Sequence, residues 1–507
     1  MPAEQQLIHT QFVIIGAGFG GVGMGIRLKQ SGHEQFVILE RGASIGGTWR
    51  DNTYPGAACD VQSHLYSYSF ALHSHWSRRF SPQPEIRTYI ENCVSKFRIT
   101  PHIELNADVV EARYIEQEMR WHVQLADGRV FSCQFLISAT GQLNNPKYPD
   151  IPGRDEFQGI HFHSARWQHE HDLRGKRIAV IGTGASAIQF VPQIAKQAKE
   201  IALFQRSPAW VMPKPDKPFA PWQQWCFQHV PLLNRCYRSI IYLKNECRAL
   251  AFTRMRFILN LFSFRAIAMA KRDVTDPEKL QKLIPNYQIG CNRILIANDW
   301  YSTINQPHVQ LHCNGIEKIT PTGITYGNGE HYAADVIIYA TGFRATEFLA
   351  PINIIGSNNQ CLSEAWKDGA EAYKGISVSG FPNFFMLYGP NTNLSHNSIL
   401  VMLEAQFHYV LQCTYYLARN NLTTLDVKAE RQQHYVNTLQ NKLNKSVWAT
   451  GCSSWYTNDA GRNVINWFGF TFTYRFLTSR IKAADYNFGR SHREQRSNIS
   501  RISASIR

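Results

Sequence analysis

Two glycine turns limit the folds open to this chain. The first is Gly16-Ala17-Gly18-Phe19-Gly20-Gly21, entered from a β-branched run over 12–15 and left through a small-residue helix reaching about Gln30. A second apolar run over 36–39 ends at Glu40. In this spacing Gly16 permits the tight turn, Gly18 clears room for a pyrophosphate, and Gly21 lets helix and strand pack closely. The helix start then offers unpaired N–H groups to the phosphates. The acid closing the second strand can accept bonds from ribose hydroxyls. A glycine turn alone is common. The strand before it, the helix after it and Glu40 in place make this one a dinucleotide site.

The arrangement recurs. Arg177-Ile178-Ala179-Val180-Ile181 leads into Gly182-Thr183-Gly184-Ala185-Ser186-Ala187, a helix, and a strand over 201–204. Ala187 replaces the third glycine, which the pattern tolerates. The position matching Glu40 is Arg206, flanked by Gln205 and Ser207. An acid there would repel a 2′-phosphate, whereas Arg pairs with it. The first site therefore reads as FAD and the second as NADPH, with Gly182, Gly184, Ser186, Arg206 and Ser207 as its binding residues and Arg206 at the 2′-phosphate. The bland alternative makes Arg206 an ordinary surface charge. Two sites of unlike preference suit hydride transfer from NADPH to a tightly held flavin.

The expected class is α/β, with two Rossmann-like dinucleotide-binding domains and a helical insertion in the second. The FAD-binding domain is expected over 1–145 and again over 346–489. The NADP-binding domain is expected over 146–345, with the insertion at about 213–285. A loop rich in Asn and Pro over 144–152 serves as a linker. Ser138-Ala139-Thr140-Gly141 and Ala340-Thr341-Gly342 look like small-residue crossings between the domains. The later part should hold strands over 335–340 and 384–388 and a long helix over about 398–418. A basic tail over 490–507, rich in Arg and Ser, is expected to be disordered.

A chain of 507 residues with 44% hydrophobic and 18% charged content fits a folded protein with large cores. No secretory leader or membrane span is expected, and the cytoplasm is the expected compartment. The 11 cysteines are scattered and never form Cys-x-x-Cys. Reduced thiols are expected rather than a disulfide framework, and no metal site is expected. The formal net charge is +15. It reads as a solvated basic surface that also attracts an anionic cofactor. No nucleic-acid motif accompanies it. The basic faces of the insertion could meet a membrane surface, but solvent or a neighbouring domain is the favoured reading.

Beyond the glycines, Phe157-x-Gly159-x-x-x-His163-x-x-x-Trp167 stands just before the second turn, and Gly46-Gly47-Thr48-Trp49, Tyr54-Pro55-Gly56 and Asp60 follow the first unit. With these motifs nearly the whole chain resembles the type I Baeyer–Villiger monooxygenases, in the cluster acting on aryl and aliphatic ketones. Gln168 departs from the Pro or Asp usual after the tryptophan. The resemblance implies that reduced flavin and O2 form a C4a-peroxide, which must stay anionic to attack a carbonyl. It nominates Arg293, in Gly290-Cys291-Asn292-Arg293, as the fixed cation that serves this peroxide, with Asp60 holding it. A purely structural Asp–Arg pair is the bland alternative. Thr48, Trp49 and Asp60 would lie along the flavin, and Trp455 would contact the retained nicotinamide cofactor. Phe157, Gly159, His163 and Trp167 would act conformationally, reorienting the NADP domain. The family often has Lys before the catalytic Arg. Asn292 stands there instead, which shifts discrimination for NADPH onto Arg206.

The substrates implied are a ketone or related carbonyl and O2. Two other readings stay open: a flavin hydroxylase acting on N or S, and a nucleotide-binding flavoprotein without turnover. A flavin disulfide reductase would need a redox cysteine pair after the first unit, where only Cys59 is near. The ketone's identity and the oligomeric state are not written in the sequence.

Overall fold

A computed structural model describes residues 7–490 except 256 and 453. The expected basic tail therefore lies, from residue 491 on, outside the described residues. Strand β1 (Leu7–Ile15) pairs in parallel with β2 (Phe36–Glu40), and helix α1 (Phe19–Gln30) joins them. Phe12 to Ile14 are fully buried, because apolar side chains cover both faces of a parallel sheet. The sheet continues with β3 (Ile103–Leu105) beside β2, and with β4 (Val109–Ile115), β5 (Arg120–Leu125) and β6 (Val130–Ser138) on the other side of β1. Two late segments, Asn353–Ile355 and Phe384–Met386, return to pair with β4 and β6. Only three residues of the run expected over 384–388 form strand.

A second, all-parallel sheet is ordered Val309–His312, β9 (Glu200–Phe204), β8 (Arg177–Ile181), Val336–Tyr339 and β7 (Ile160–His163). Between the sheets the chain crosses twice, and the two crossings run side by side. Pro146 bridges Phe343, the Lys147 amide donates to the Gly342 carbonyl, and that of Arg344 to the Asn145 carbonyl.

Helices α2 (Thr48–Asp51) and α3 (Gln83–Lys96) belong to the first half, and α4 (Ala187–Ile194) follows the second glycine turn. The expected helical stretch forms α5 (Pro221–His229), α6 (Pro231–Thr253), α7 (Phe257–Asp273) and α8 (Pro277–Leu283). The long late helix spans Ile399–Arg419 and starts where the Ser398 hydroxyl accepts from the Leu400 amide.

The expectation of reduced thiols fails at one pair. Cys291 and Cys452 are joined by a disulfide, with Cα atoms 6.2 Å apart. Folding brings two loops together that sequence spacing could not connect. The other nine cysteines are free thiols.

Candidate active site

At the first turn, Gly16 has φ +102°, and a Cβ there would stand 2.8 Å from the Ala139 carbonyl. A Cβ on Gly21 would fall 1.8 Å from the Gly16 oxygen, so only glycine fits. Gly47 lies against Gly18 and roofs the turn with the loop leading into α2. A cavity of about 300 Å³ opens at the ends of β1 and β2, lined by Gly16, Glu40, Asp108, Thr140 and Phe348 among others. Strand carboxyl ends beside a glycine turn are where such sheets bind nucleotides. Glu40 is buried and accepts from the amides of Ala17 (2.9 Å) and Gly42 (2.8 Å) and from Arg50 Nη1 (2.6 Å). The Arg50 brace was not anticipated. A carboxylate has about four acceptor sites, so capacity remains for a ribose hydroxyl.

At the second turn, Gly182 has φ +104°, and a Cβ would reach 2.5 Å from the Ala340 carbonyl. Nothing lies within 4 Å of a Cβ on Gly184. Arg206 and Ser207 are exposed just past β9. Gln205, by contrast, is buried, and its amide donates to the Lys282 carbonyl. Asn292 bonds to Tyr287, whose hydroxyl donates to the Pro208 carbonyl, so Asn292 lies close to the loop bearing Arg206. The open space at Gly184 and the basic strand end fit a phosphorylated dinucleotide.

The first unit docks on the second through the segment between Tyr54 and Asp60. Gln189 of α4 accepts from the Tyr54 hydroxyl at 3.0 Å and donates to the Ala58 carbonyl at 3.0 Å. Gly56 approaches the Gln189 backbone so closely that a Cβ would clash at 2.7 Å. Two residues beyond this dock, Asp60 meets Arg293. Nε donates to Asp60 Oδ2 at 3.0 Å, and Nη2 converges on the same oxygen. Both side chains remain about a third exposed, 31% and 32%. Burial works to raise the Asp60 carboxyl, but the guanidinium outweighs it and the net shift is downward. The carboxylate, against the opposing pull of burial, drives Arg293 further up, so its charge is permanent. Lys214 adds positive charge near Asp60, and the Tyr388 and Tyr456 phenols stand near Arg293. Sequence reasoning missed all three. Only Tyr456, next to Trp455, carried a signal.

Trp49 donates from Nε1 to the Tyr66 hydroxyl at 3.0 Å, and Thr48 opens the α2 turn beside Gly47. Half-buried Trp455 packs on Tyr456 with ring centres 4.6 Å apart. Its loop is tied by the Cys452 bond to Cys291, two residues before Arg293. Of the fingerprint residues, His163 alone touches a crossing. Phe157 is buried in the second sheet's core, and Gly159 sits where a Cβ would meet Phe157 at 2.5 Å. His163 ends β7, accepts from the Ala165 amide at 3.1 Å, and packs on Phe343 of the second crossing. Burial lowers its imidazole to about 4, against an opposing bond to the Gly342 backbone. Trp167 packs on Phe190 of α4.

Residues 13–232 match a family profile described as pyridine nucleotide-disulphide oxidoreductase. The chain is 42% identical to a Baeyer-Villiger monooxygenase of Pseudomonas aeruginosa over 96% of its own length and 93% of that protein's. It is 39% identical to a FAD-binding monooxygenase, ktnD, of Aspergillus niger, over 94% of this chain and 81% of that one. Among solved structures, OTEMO in complex with FAD and NADP superposes with a TM-score of 0.87 at 28% identity, covering 95% of this chain and 99% of that one. Closed cyclohexanone monooxygenase gives 0.87 at 25% identity, over 96% and 100%. With likeness of this extent added to the two turns and the pair between them, the chain belongs to the Baeyer–Villiger monooxygenase family.

Proposed function

We propose that this protein uses FAD, NADPH and O2 to insert one oxygen atom beside a carbonyl, turning a ketone into an ester or lactone. The observation that carries the reading is the Arg293–Asp60 pair, set where the first unit docks on the helix after the second glycine turn. FAD would lie along Gly16, Gly18, Gly21 and Glu40, pass Thr48 and Trp49, and end near Asp60. NADPH would lie on Gly182, Gly184 and Ser186, with Arg206 and Ser207 at its 2′-phosphate and Trp455 near its nicotinamide. The return of Asn353–Ile355 and Phe384–Met386 to the first sheet supports a FAD domain over 1–145 and 346–489 around an NADP domain over 146–345.

When bound, the flavin, reduced by NADPH and combined with O2, supplies a nucleophilic oxygen to the carbonyl carbon. Arg293 holds positive charge where oxyanion charge develops, and it cannot give up a proton at any working pH. Asp60 fixes the guanidinium plane and offsets its charge. His163 would brace the paired crossings and Trp167 the helix after the second glycine turn, where a small rotation would swing the second sheet over the first.

A panel of ketones and sulfides, assayed with FAD-loaded protein and NADPH by product analysis, tests the reading. Ester or lactone formation that Arg293→Ala removes is the expected result. Amine N-oxide or sulfoxide as sole products, or NADPH oxidation with only hydrogen peroxide formed, would overturn it.

A further inference from the structure

Helices α5 to α7 turn apolar side chains outward as well as inward. On α7, Phe257, Leu261 and Phe264 are 62%, 62% and 67% exposed, at the spacing of one helical face. On α6, Leu232, Cys236, Ile240, Leu243 and Cys247 form a second exposed stripe. Trp222 and Trp225 of α5 are 67% and 57% exposed. Helix Thr471–Leu477 adds exposed Phe472 and Phe476 beside α6, held through the bond from Thr471 to Glu246. Scattered exposed apolar residues are ordinary, but stripes on consecutive helices mark an interaction surface.

Charge says what covers it. From 221 to 272 the only acid is Glu246, which is buried and spent on Asn397 and Thr471. Arg235, Lys244, Arg254 and Arg265 are exposed. A second copy meeting this face across a two-fold axis would set cations against cations with no acid to pair them. An anionic lipid surface complements both features: it takes apolar side chains below its headgroups, seats tryptophans at the interface and attracts each cation. Among the described residues no helix is long and apolar enough to cross a membrane, so contact would be on the surface.

We infer that the outward faces of α5, α6 and α7 dock on an anionic phospholipid surface. The inner faces explain what this does for the enzyme. Ile241 packs on Leu65, Asn245 bonds to Gln62, and Leu259 shares a cluster with Trp210 and Tyr456. One helix thickness thus separates the surface from the segment after Asp60 and from Tyr456. A carbonyl substrate dissolved in lipid would meet the protein on this side. That benefit rests on the chemistry proposed above; the docking does not.

Flotation of the full FAD-loaded chain with phosphatidylcholine vesicles, with and without phosphatidylglycerol, tests the inference without turnover. The protein should float with the anionic vesicles at least about tenfold better than with phosphatidylcholine alone, and salt should release it. Leu261→Asn with Phe264→Asn, or Ile240→Asn with Leu243→Asn, should cut binding by about tenfold while flavin absorbance is kept. Arg254→Glu with Arg265→Glu should remove the preference for anionic lipid. Protein left in the lipid-free fraction with both vesicle types would overturn the inference. So would a dimer seen by light scattering that the same Asn pairs dissociate, because a second copy would then cover the stripes.

Discussion

The two glycine turns share a pattern and differ in how the chain closes over them. Around the first, the 46–51 segment folds back so that Gly47 touches Gly18, and Glu40 is sealed with three donors on its carboxylate. Around the second, Gly184 faces open space and Arg206 stands in solvent. On the proposed placement, a nucleotide under the first roof is expected to be retained and one on the second site to exchange, since only surface contacts would hold it. The same motif thus stands closed over in one place and open in the other.

Substitutions at matched positions can break this contrast. The largest effect is expected for Gly21→Ala, whose Cβ would overlap the Gly16 oxygen. That protein should be recovered without flavin absorbance, while Gly184→Ala should keep its flavin and change the Michaelis constant for NADPH only a few-fold. Next comes Arg293→Ala, where product formation should fall by about a thousandfold. Stopped-flow reduction of its flavin by NADPH should stay near the wild-type rate, which separates the work of the two sites. Arg206→Ala should raise the Michaelis constant for NADPH by roughly ten- to a hundredfold and leave that for NADH unchanged. Equal effects on both would remove Arg206 from the phosphate site.

The smallest effect concerns pH. His163 falls to about 4 when folded, below the ordinary 6.5. Its stabilising contribution is therefore complete above pH 6.5 and lost as pH falls towards 4. Between pH 8 and pH 6 it should cost about 1 kcal/mol, read as a lower Tm, and His163→Asn should flatten that slope. Buried His64 and His396, both lowered to about 3, add to the same acid sensitivity.

Both turns, their strands and the late helix were legible in the sequence because spacing there is local chemistry. A Gly-x-Gly-x-x-Gly turn, a β-branched run and a helical period each act within a few residues. The pairing of Asp60 with Arg293 is different in kind. The two residues are far apart in sequence, and only resemblance to a family joined them. Gln189 between the units, Arg50 on Glu40 and the Cys291–Cys452 bond were invisible, since each depends on which loops the folded sheets bring together. The exposed stripes were half visible. The apolar and basic residues of the insertion could be seen, but not which of them face outward, because helical periodicity gives a face and not its direction.

The Cys291–Cys452 bond has a topological consequence. It closes a covalent ring across a sequence separation of 161, enclosing both the second crossing and the return to the first sheet. A single protease cut anywhere between the two cysteines would leave one covalent body. The nicked chain would run as a single species on a denaturing gel until a reductant was added, and only then part into two fragments.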